Sequence, residues 1–397
     1  MFDIGEFFKS ILDGMALTDF IYGDGWMRLV MLVIGGVFLF LAIKKNFEPY
    51  LLIPIAFGII LVNILPSIYF SGNGSDGRVI GDVSMHERGL LGILHLGVEY
   101  EVYPCLIFLG IGATTDFGPL IANKKTMLLG AAAQVGIFIA FFGSLLLGFN
   151  FYEASAIGII GGADGPTAIL VSNAMLSQGG DTNLLAPIAL AAYSYMALVP
   201  VIFPPIIRLL TTKKERKIKM EQLREVSKTE KILFPLIVTV AVCLIVPSAT
   251  PLIGCLMLGN LIKESGVVPN LVNTVANALL YICTILLGLS VGATAVGTSF
   301  LQLTTLMVFG LGVGAFIFAA VSGLLFGKLM CVITRGKVNP MIGAAGVSAV
   351  PMAARVVQRE GQREDPSNFL LMHAMGPNVA GVIGSAIAAG ILMSIFL

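Results

Sequence analysis

The sequence contains few charged residues, which excludes most soluble folds. Asp, Glu, Lys and Arg make up 12% of its 397 residues and hydrophobic residues 57%, whereas soluble domains carry about 25% charged residues. The five cysteines have no CxxC spacing, so neither a disulfide framework nor a metal cluster is expected. HExxH, Walker-type and Ser/His/Asp patterns are lacking, which argues against an ATP site and a soluble hydrolase. No basic run is interleaved with aromatic residues, so nucleic acid is not an expected partner.

Long apolar stretches dominate the sequence instead. They predict an all-α polytopic membrane protein, a single integral membrane domain over 1–397 with about ten spanning helices and two broken or re-entrant segments. The N-terminus lacks a basic region followed by an apolar core and a cleavage site, so no removable signal peptide is expected. The expected apolar segments are 26–43, 49–70, 103–121, 126–148, 152–172, 184–210, 232–247, 249–263, 271–298, 303–327, 339–357 and 367–393.

Basic links indicate which ends of these segments face the cytoplasm. The link 211–231 holds eight of the 24 Lys and Arg residues together with four Glu, and the positive-inside rule makes it cytoplasmic. The connection 71–102 is expected at the surface as a loop with an amphipathic helix, where His86 and His95 would be interfacial. Smaller basic links are assigned to the cytoplasmic side: Lys44-Lys45, Lys124-Lys125 and 328–337.

The segment 152–172 is not expected to be an ordinary spanning helix. If the links at 124–125 and 211–231 are both cytoplasmic, the three apolar segments between them must cross an even number of times. Four glycines and one proline between Gly158 and Pro166 would free backbone groups at membrane depth. Such groups persist only where protein or a hydrated cavity satisfies them. The sequence therefore predicts a re-entrant hairpin or a discontinuous helix.

The chain also repeats itself at an offset of about 180 to 185 residues. By the positive-inside rule, each segment of the second half crosses the membrane in the direction opposite to its partner in the first half. This predicts inverted repeats over 26–210 and 232–393, joined by 211–231. Inverted repeats with interrupted helices are typical of secondary transporters, and an elevator-type movement is one option. The matching strings are Leu109-Gly-Ile-Gly-Ala-Thr114 with Leu289-Ser-Val-Gly-Ala-Thr294, and Gly161, Pro166 and Ala168 with Gly346, Pro351 and Ala353. The binding site is expected where the breaks 158–168 and 343–353 meet.

Asp164 is the strongest candidate for chemistry. A carboxylate inside an apolar span is energetically costly, so Asp164 should bind a cation or relay a proton. Asp116 is expected to cap the end of a helix. Carbonyls freed by broken helices would supply oxygen ligands for sodium. The amides of Asn339 and Asn378 either join that site or satisfy freed backbone. Arg355 would hold an anionic group, pair with Asp164 or reach a lipid headgroup.

Six strings, in order along the chain, closely resemble the β subunits of biotin-dependent, sodium-translocating decarboxylases. The resemblance covers nearly the whole chain, and six long strings are far more specific than one short motif. The strings are Phe47-Glu-Pro, Thr115-Asp-Phe-Gly-Pro, Gly161-Gly-Ala-Asp-Gly-Pro-Thr-Ala-Ile169, Ala191-Ala-Tyr-Ser-Tyr-Met-Ala-Leu-Val-Pro200, Ser348-Ala-Val-Pro-Met-Ala-Ala-Arg355 and His373-Ala-Met-Gly-Pro-Asn378.

The resemblance implies an enzyme subunit that decarboxylates carboxybiotin carried by a partner and exports sodium while a proton is consumed. The implied partners are a biotin-carrying carboxyltransferase subunit and a small membrane subunit in a bacterial cytoplasmic membrane, with a homo-oligomer left open. Sodium would be held by Asp164, Asn378, Tyr195 and Ser348. Carboxybiotin would meet Arg355, Asn339 and Gly343, and Asp164, Tyr195, Ser348 and Arg355 would take part in catalysis.

Two other classes of protein remain open on the residues alone. A self-contained sodium-coupled carrier, either an anion symporter or a sodium/proton antiporter, could use the same repeats and the same carboxylate. A structural membrane anchor would not need Asp164 at all. Dependence on a biotinylated partner discriminates the decarboxylase subunit from both.

Overall fold

A computed structural model of the protein describes residues 25–46, 48–70 and 87–396. The predictions for the N-terminus and for His86 lie outside these residues. Regular structure in the described ranges is helical, apart from an isolated bridge between Phe70 and Arg88. The chain is therefore all-α, as the sequence predicts.

The first half is a succession of helices that ends at the basic link. Its helices are α1 Gly25–Lys45, α2 Pro49–Ile64, α3 Leu90–Glu99, α4 Val102–Thr114, α5 Gly118–Ala122, α6 Met127–Ala133, α7 Val135–Leu146, α8 Phe151–Gly158, α9 Gly165–Gly179 and α10 Leu185–Leu210. A 3₁₀ segment, Ile159–Gly162, separates α8 from α9. Asn150 Nδ2, just before α8, donates to the Gly179 carbonyl oxygen at the end of α9 at 3.1 Å, so the predicted segment 152–172 folds as an interrupted helical hairpin.

The second half of the chain is also a succession of helices and begins with the short helix α11. Its helices are α11 Lys213–Arg216, α12 Lys228–Ile245, α13 Thr250–Ser265, α14 Pro269–Asn273, α15 Leu280–Ala293, α16 Gly297–Phe300, α17 Leu303–Ile333, α18 Met352–Glu364 and α19 Leu371–Phe396. A 3₁₀ segment, Pro340–Gly346, stands before α18. The second predicted break is therefore also interrupted.

Capping boxes fix the starts of helices at polar turns. At α8, the Asn150 side chain accepts from the Glu153 N–H at 2.9 Å, and the Glu153 carboxylate accepts from the Asn150 N–H at 3.0 Å. Thr212 with Glu215 caps α11 and Ser227 with Glu230 caps α12 in the same way. The reciprocal bonds satisfy backbone donors that a helix start leaves free.

The described residues contain five to seven candidate membrane-spanning helices, whereas the sequence predicts about ten. Among the described residues, five helices are long and apolar enough to cross a membrane, and two sharply bent pairs would raise the number to seven. The five are Gly25–Lys45, Lys124–Leu146, Pro269–Ala293, Leu303–Ile333 and Leu371–Phe396. The bent pairs are Leu90–Glu99 with Val102–Thr114, at 64°, and Thr182–Met196 with Leu198–Leu210, at 61°. Pro200 explains the second bend, because its ring clashes with the carbonyl four residues earlier.

The connection 71–102 contains helix α3, which packs one face against the protein: Leu91 and Val98 are buried, whereas Leu90 and Ile93 are exposed. The predicted helix is present, but the prediction that His95 is interfacial was wrong. His95 is fully buried and packs its ring edge-on against Tyr69 at 5.6 Å, so it is not an interfacial residue. The polar residues that gave the link a surface character flank α3, which is itself apolar.

Glycines let two pairs of helices approach closely in the same way. Helices α2 and α15 cross at Gly58 and Gly292, where a Cβ on Gly58 would lie 2.4 Å from a carbonyl oxygen of α15. Helices α4 and α13 cross at Gly112 and Gly259, where a Cβ on Gly259 would lie 2.0 Å from a carbonyl oxygen of α4. Small residues permit this spacing between helices in a membrane.

Both broken segments lie at the centre of the protein. All residues from Ala154 to Ser172 are buried, and so are all residues from Val338 to Ala349. The freed backbone of each break is therefore surrounded by protein, which is the condition for keeping it at membrane depth.

Candidate functional site

Asp164 lies at the junction of the 3₁₀ segment and helix α9. Ala163 before it has a positive φ of 58°, which turns the chain, and Asp164 then occupies the N-cap position of α9. Pro166 falls in the first turn of the helix, where its missing N–H costs nothing. The side chain is buried, with 6% of its surface exposed. The break thus delivers one carboxylate to the protein interior.

Hydroxyl groups surround this carboxylate. Thr167 Oγ1 donates to Asp164 Oδ2 at 2.6 Å, and Ser385 Oγ of α19 lies 3.0 Å from the same oxygen. Ser348 Oγ, from the second break, lies 3.3 Å from Ser385 Oγ. Ser385 has a single proton and also lies 3.0 Å from the carbonyl oxygen of Val382, so it can donate to only one of these oxygens at a time. The cluster presents more oxygen lone pairs than protons.

The two breaks contact each other at this cluster. The Ser348 N–H donates to the Gly162 carbonyl oxygen at 3.3 Å. Asn378, in α19, donates from Nδ2 to the carbonyl oxygens of Ala345 and Val347 at 3.1 and 2.7 Å. Its Oδ1 is buried without a hydrogen-bond partner. Asn378 therefore holds the second break and keeps one amide oxygen unsatisfied.

Asn378 and Asp164 do not share one position. Asn378 and Ser385 are seven residues apart on α19, which is about 10 Å along a helix axis. Of these two residues, Ser385 contacts the carboxylate. The sodium site expected from Asp164 and Asn378 together stays a prediction.

Asn339 and Gly343 serve the packing of the second break. Asn339 Nδ2 donates to the carbonyl oxygens of Arg216 and Ile218 at 3.2 and 2.9 Å, and its Oδ1 accepts from the Met341 N–H at 3.0 Å. A Cβ on Gly343 would lie 2.0 Å from a carbonyl oxygen of α17. Both N–H groups of the Asn339 amide and one lone pair of its oxygen are used in these contacts, none of which involves Asp164.

Two tyrosines of α10, Tyr193 and Tyr195, lie in different surroundings. Tyr195 donates from its hydroxyl to the Phe309 carbonyl oxygen at 2.6 Å and does not contact Asp164. Tyr193 packs its ring against Gly165, the residue after Asp164, so closely that a Cβ there would lie 2.0 Å from the ring. The Tyr193 hydroxyl is buried without a partner. In this structure the Tyr195 hydroxyl donates to Phe309, and the role of Tyr195 as a sodium ligand stays a prediction.

Arg355 is exposed on α18 and forms no ion pair with Asp164. The Asp164 carboxylate accepts from hydroxyl groups instead, so of the three alternatives for Arg355 the structure does not show the pairing with Asp164. The physical reason is burial, because the guanidinium group reaches solvent while Asp164 is enclosed.

Asp116 lies away from this cluster. Its Oδ1 accepts from the Gly118 N–H at 2.9 Å, which fits the predicted capping role at α5. It also lines a cavity of about 620 Å³ together with Lys231, Phe369 and His373. This cavity opens among the residues of the basic link.

Sequence reasoning missed Thr167, Ser385 and Tyr193. Thr167 is three residues after Asp164, and residues at this spacing share a helix face. Ser385 lies two helical turns after Asn378, so the same rule points to it. Tyr193 stands two residues before the tyrosine that the resemblance indicates. The sequence contains each of these spacings, but which side chains face the Asp164 carboxylate depends on how each helix is rotated about its axis.

Comparison with known proteins identifies the family. Residues 27–396 match the family model described as Na+-transporting oxaloacetate decarboxylase beta subunit. The chain is 53% identical to the methylmalonyl-CoA decarboxylase subunit beta of Propionigenium modestum over 398 residues, covering 98% of this chain and 99% of that protein. It is 53% identical to the glutaconyl-CoA decarboxylase subunit beta of Acidaminococcus fermentans over 385 residues, covering 96% and 97%. It is 48% identical to the oxaloacetate decarboxylase beta chain of Klebsiella pneumoniae over 439 residues, covering 99% of both. The chain therefore belongs to the family of Na+-transporting oxaloacetate decarboxylase beta subunits.

Proposed function

We propose that this chain is the membrane β subunit of a sodium-pumping decarboxylase. It decarboxylates carboxybiotin carried by a partner subunit and couples this reaction to sodium export with proton consumption. The observation that carries the proposal is the buried Asp164 carboxylate, surrounded by hydroxyl oxygens where two broken helices meet. The full-length similarity to three kinds of decarboxylase β subunit supports the same function.

Sodium is held by oxygen atoms in this proposal. Asp164 supplies the negative charge, and Thr167, Ser348 and Ser385 supply neutral oxygens, which suit a hard cation. Asn378 Oδ1 is buried without a hydrogen-bond partner in the described ranges, and it provides a second sodium-binding position about two helical turns from Ser385 along α19. Sodium passes between the two groups through the second break.

Asp164 also binds the proton. Decarboxylation of carboxybiotin releases CO₂ and places one proton on the biotin nitrogen. A carboxylate that binds either sodium or a proton exchanges one for the other, and the contact between Ser385 and Ser348 extends this path toward the second break. Tyr195 holds α10 against α17 through Phe309 and is a positioning residue here. Coupling is needed, because moving one charge against 100 mV costs about 2.3 kcal/mol.

Arg355 is the residue proposed to meet carboxybiotin. Its guanidinium group is exposed, and a planar fork of N–H donors matches a planar carboxylate. Asn339 and Gly343 act by shaping the break that precedes it. The partners are a biotin-carrying carboxyltransferase subunit and a small membrane subunit, in a bacterial cytoplasmic membrane.

Two inverted repeats, 26–210 and 232–393, with about ten spans form the proposed scaffold. The paired glycine crossings support this arrangement, since Gly58 and Gly259 take equivalent positions against Gly292 and Gly112. The contact between the breaks at Ser348 supports it as well. Alternating access would move one block of helices against the other.

The test is dependence on biotin. Inverted vesicles that contain the chain and its biotinylated partner should take up sodium when the substrate acid or acyl-CoA is added, and avidin should abolish the uptake. Uptake that is untouched by avidin would favour the second candidate, a self-contained sodium-coupled carrier. Asp164 alone fits both candidates, so the avidin response decides between them.

A further inference from the structure

Helix α18 separates its charges onto different faces. Arg355, Arg359 and Arg363 are all exposed and are spaced four residues apart, so they lie on one face, called here the arginine face. It extends about 12 Å along the helix. The acidic residues of the helix, Glu360 and Glu364, lie on a different face.

Both acidic residues form ion pairs with arginines of other helices. Glu360 is buried and accepts two hydrogen bonds from Arg208 of α10, at 2.6 and 2.7 Å. Glu364 accepts from Arg216 of α11 at 2.9 Å. The carboxylates of α18 therefore attach the helix to the end of α10 and to α11, and they are not available to its arginines.

The arginine face has no carboxylate partner in the described ranges. None of its three residues forms an ion pair there. The Glu48 carboxyl interacts electrostatically with Arg355. Burial raises the pKa of Glu48, and the positive charge of Arg355 opposes this rise. Like charges four residues apart destabilise a helix. Three such arginines form a positively charged surface that fold stability does not explain.

The position of the arginine face relates it to the reaction. Helix α18 begins directly after the second break, whose Ser348 contacts the Asp164 cluster through Ser385. Its ion pairs join it to Arg208 and Arg216, at the basic link that the positive-inside rule makes cytoplasmic. The face is thus accessible from the side where a soluble partner would approach.

The occupant is a protein surface and not a lipid. Helices that bind membranes present apolar residues beside their basic ones. The apolar residues of α18, Ala353, Ala354, Val356 and Val357, are buried in the protein, and the exposed positions are Arg, Gln and Arg after Arg355. Guanidinium groups bind carboxylates in bidentate fashion, so an acidic protein surface complements this face.

We propose that the arginine face is the docking surface for an acidic patch on the biotin-carrying partner, which it guides toward Arg355 and the second break. This inference rests on the proposed function. It adds Arg359 and Arg363 as partner-binding residues that do not touch the reacting group.

The experiment compares carrier-bound with free substrate. The double variant Arg359→Gln/Arg363→Gln should raise the KM for the carboxylated carrier protein at least about tenfold, with kcat unchanged, and should weaken the salt dependence of KM. Decarboxylation of free carboxybiotin should be unchanged, which also shows that the variant is folded. Arg359→Lys/Arg363→Lys should keep most of the salt dependence, and Lys213→Gln/Lys214→Gln, two exposed lysines of the link, should behave as wild type.

Three results would overturn the proposal. The first is an unchanged KM for the carrier, and the second is an equal loss with free carboxybiotin, which would mean damage to the site. The third is a wild-type chain that loses the same carrier activity when anionic lipid is replaced by phosphatidylcholine, which would assign the face to the membrane. A wild-type chain that decarboxylates neither substrate would overturn the proposed function, and it is distinguished because free carboxybiotin also fails.

Discussion

At the scale of residues, the structure gives Asp164 partners that the sequence did not name. The lone carboxylate in an apolar segment was predictable, because burying it without a partner is costly. Its hydroxyl partners were not, because Thr and Ser are frequent in apolar helices and only helix rotation decides which of them face inward. Tyr193 and Tyr195 show the same problem, since two residues of rotation exchange their surroundings.

Replacing Ser385 with Ala should weaken sodium binding. The change removes a hydroxyl 3.0 Å from the Asp164 carboxylate, and hydrogen bonds to charged groups contribute about 1.5–3 kcal/mol. The sodium concentration for half-maximal decarboxylation should rise about ten- to hundredfold. Ser144→Ala is the matched control, because that buried hydroxyl donates only to a carbonyl of its own helix. If the two variants had the same sodium dependence, Ser385 would not contribute to sodium binding.

At the scale of elements, glycine and proline made both breaks predictable. The 3₁₀ segments Ile159–Gly162 and Pro340–Gly346 overlap the two breaks that composition indicates. The burial of His95 in α3 was missed, because polar residues around this helix gave the connection a surface character. The position of Asn339 against the basic link could not be derived either, since it depends on how the two halves of the chain pack.

Replacing Gly343 with Ala should destabilise the second break. Its Cβ would lie 2.0 Å from a backbone oxygen of α17, so the segment must shift, at a cost of about 1–3 kcal/mol. The apparent melting temperature in detergent should fall. Gly314→Ala, on α17 where nothing lies within 4 Å, should leave the melting temperature unchanged. Similar temperatures for the two variants would show that the contact of Gly343 does not constrain the break.

At the scale of the whole molecule, charge and apolar length predicted an all-α membrane protein, and the number of about ten spans stays a prediction. Among the described residues, five helices qualify directly as spans, and seven do when bent pairs are included. The difference arises because apolar length alone does not reveal where a helix bends, as it does near Pro200. The inverted repeats remain a prediction, supported by the paired glycine crossings.

The proposed topology can be tested by labelling single cysteines. Gln222→Cys, in the basic link, should react with a membrane-impermeant maleimide only from the cytoplasmic side. Gln178→Cys, exposed at the end of α9, should react only from the opposite side. The five native cysteines must first be replaced. Reaction of both positions from one side would exclude the re-entrant path of the first break.

The central claim is that sodium crosses at Asp164 when carboxybiotin is decarboxylated, and sodium flux tests it most directly. Proteoliposomes containing the chain and its biotinylated partner would be assayed for radioactive sodium uptake after addition of substrate. Asp164→Asn should abolish uptake, because the amide removes the charge that binds sodium and the proton. Asp116→Asn should retain uptake, because Asp116 lies away from the Asp164 cluster and its Oδ1 accepts from the Gly118 N–H. Uptake at the wild-type rate by the Asp164→Asn variant would contradict the account.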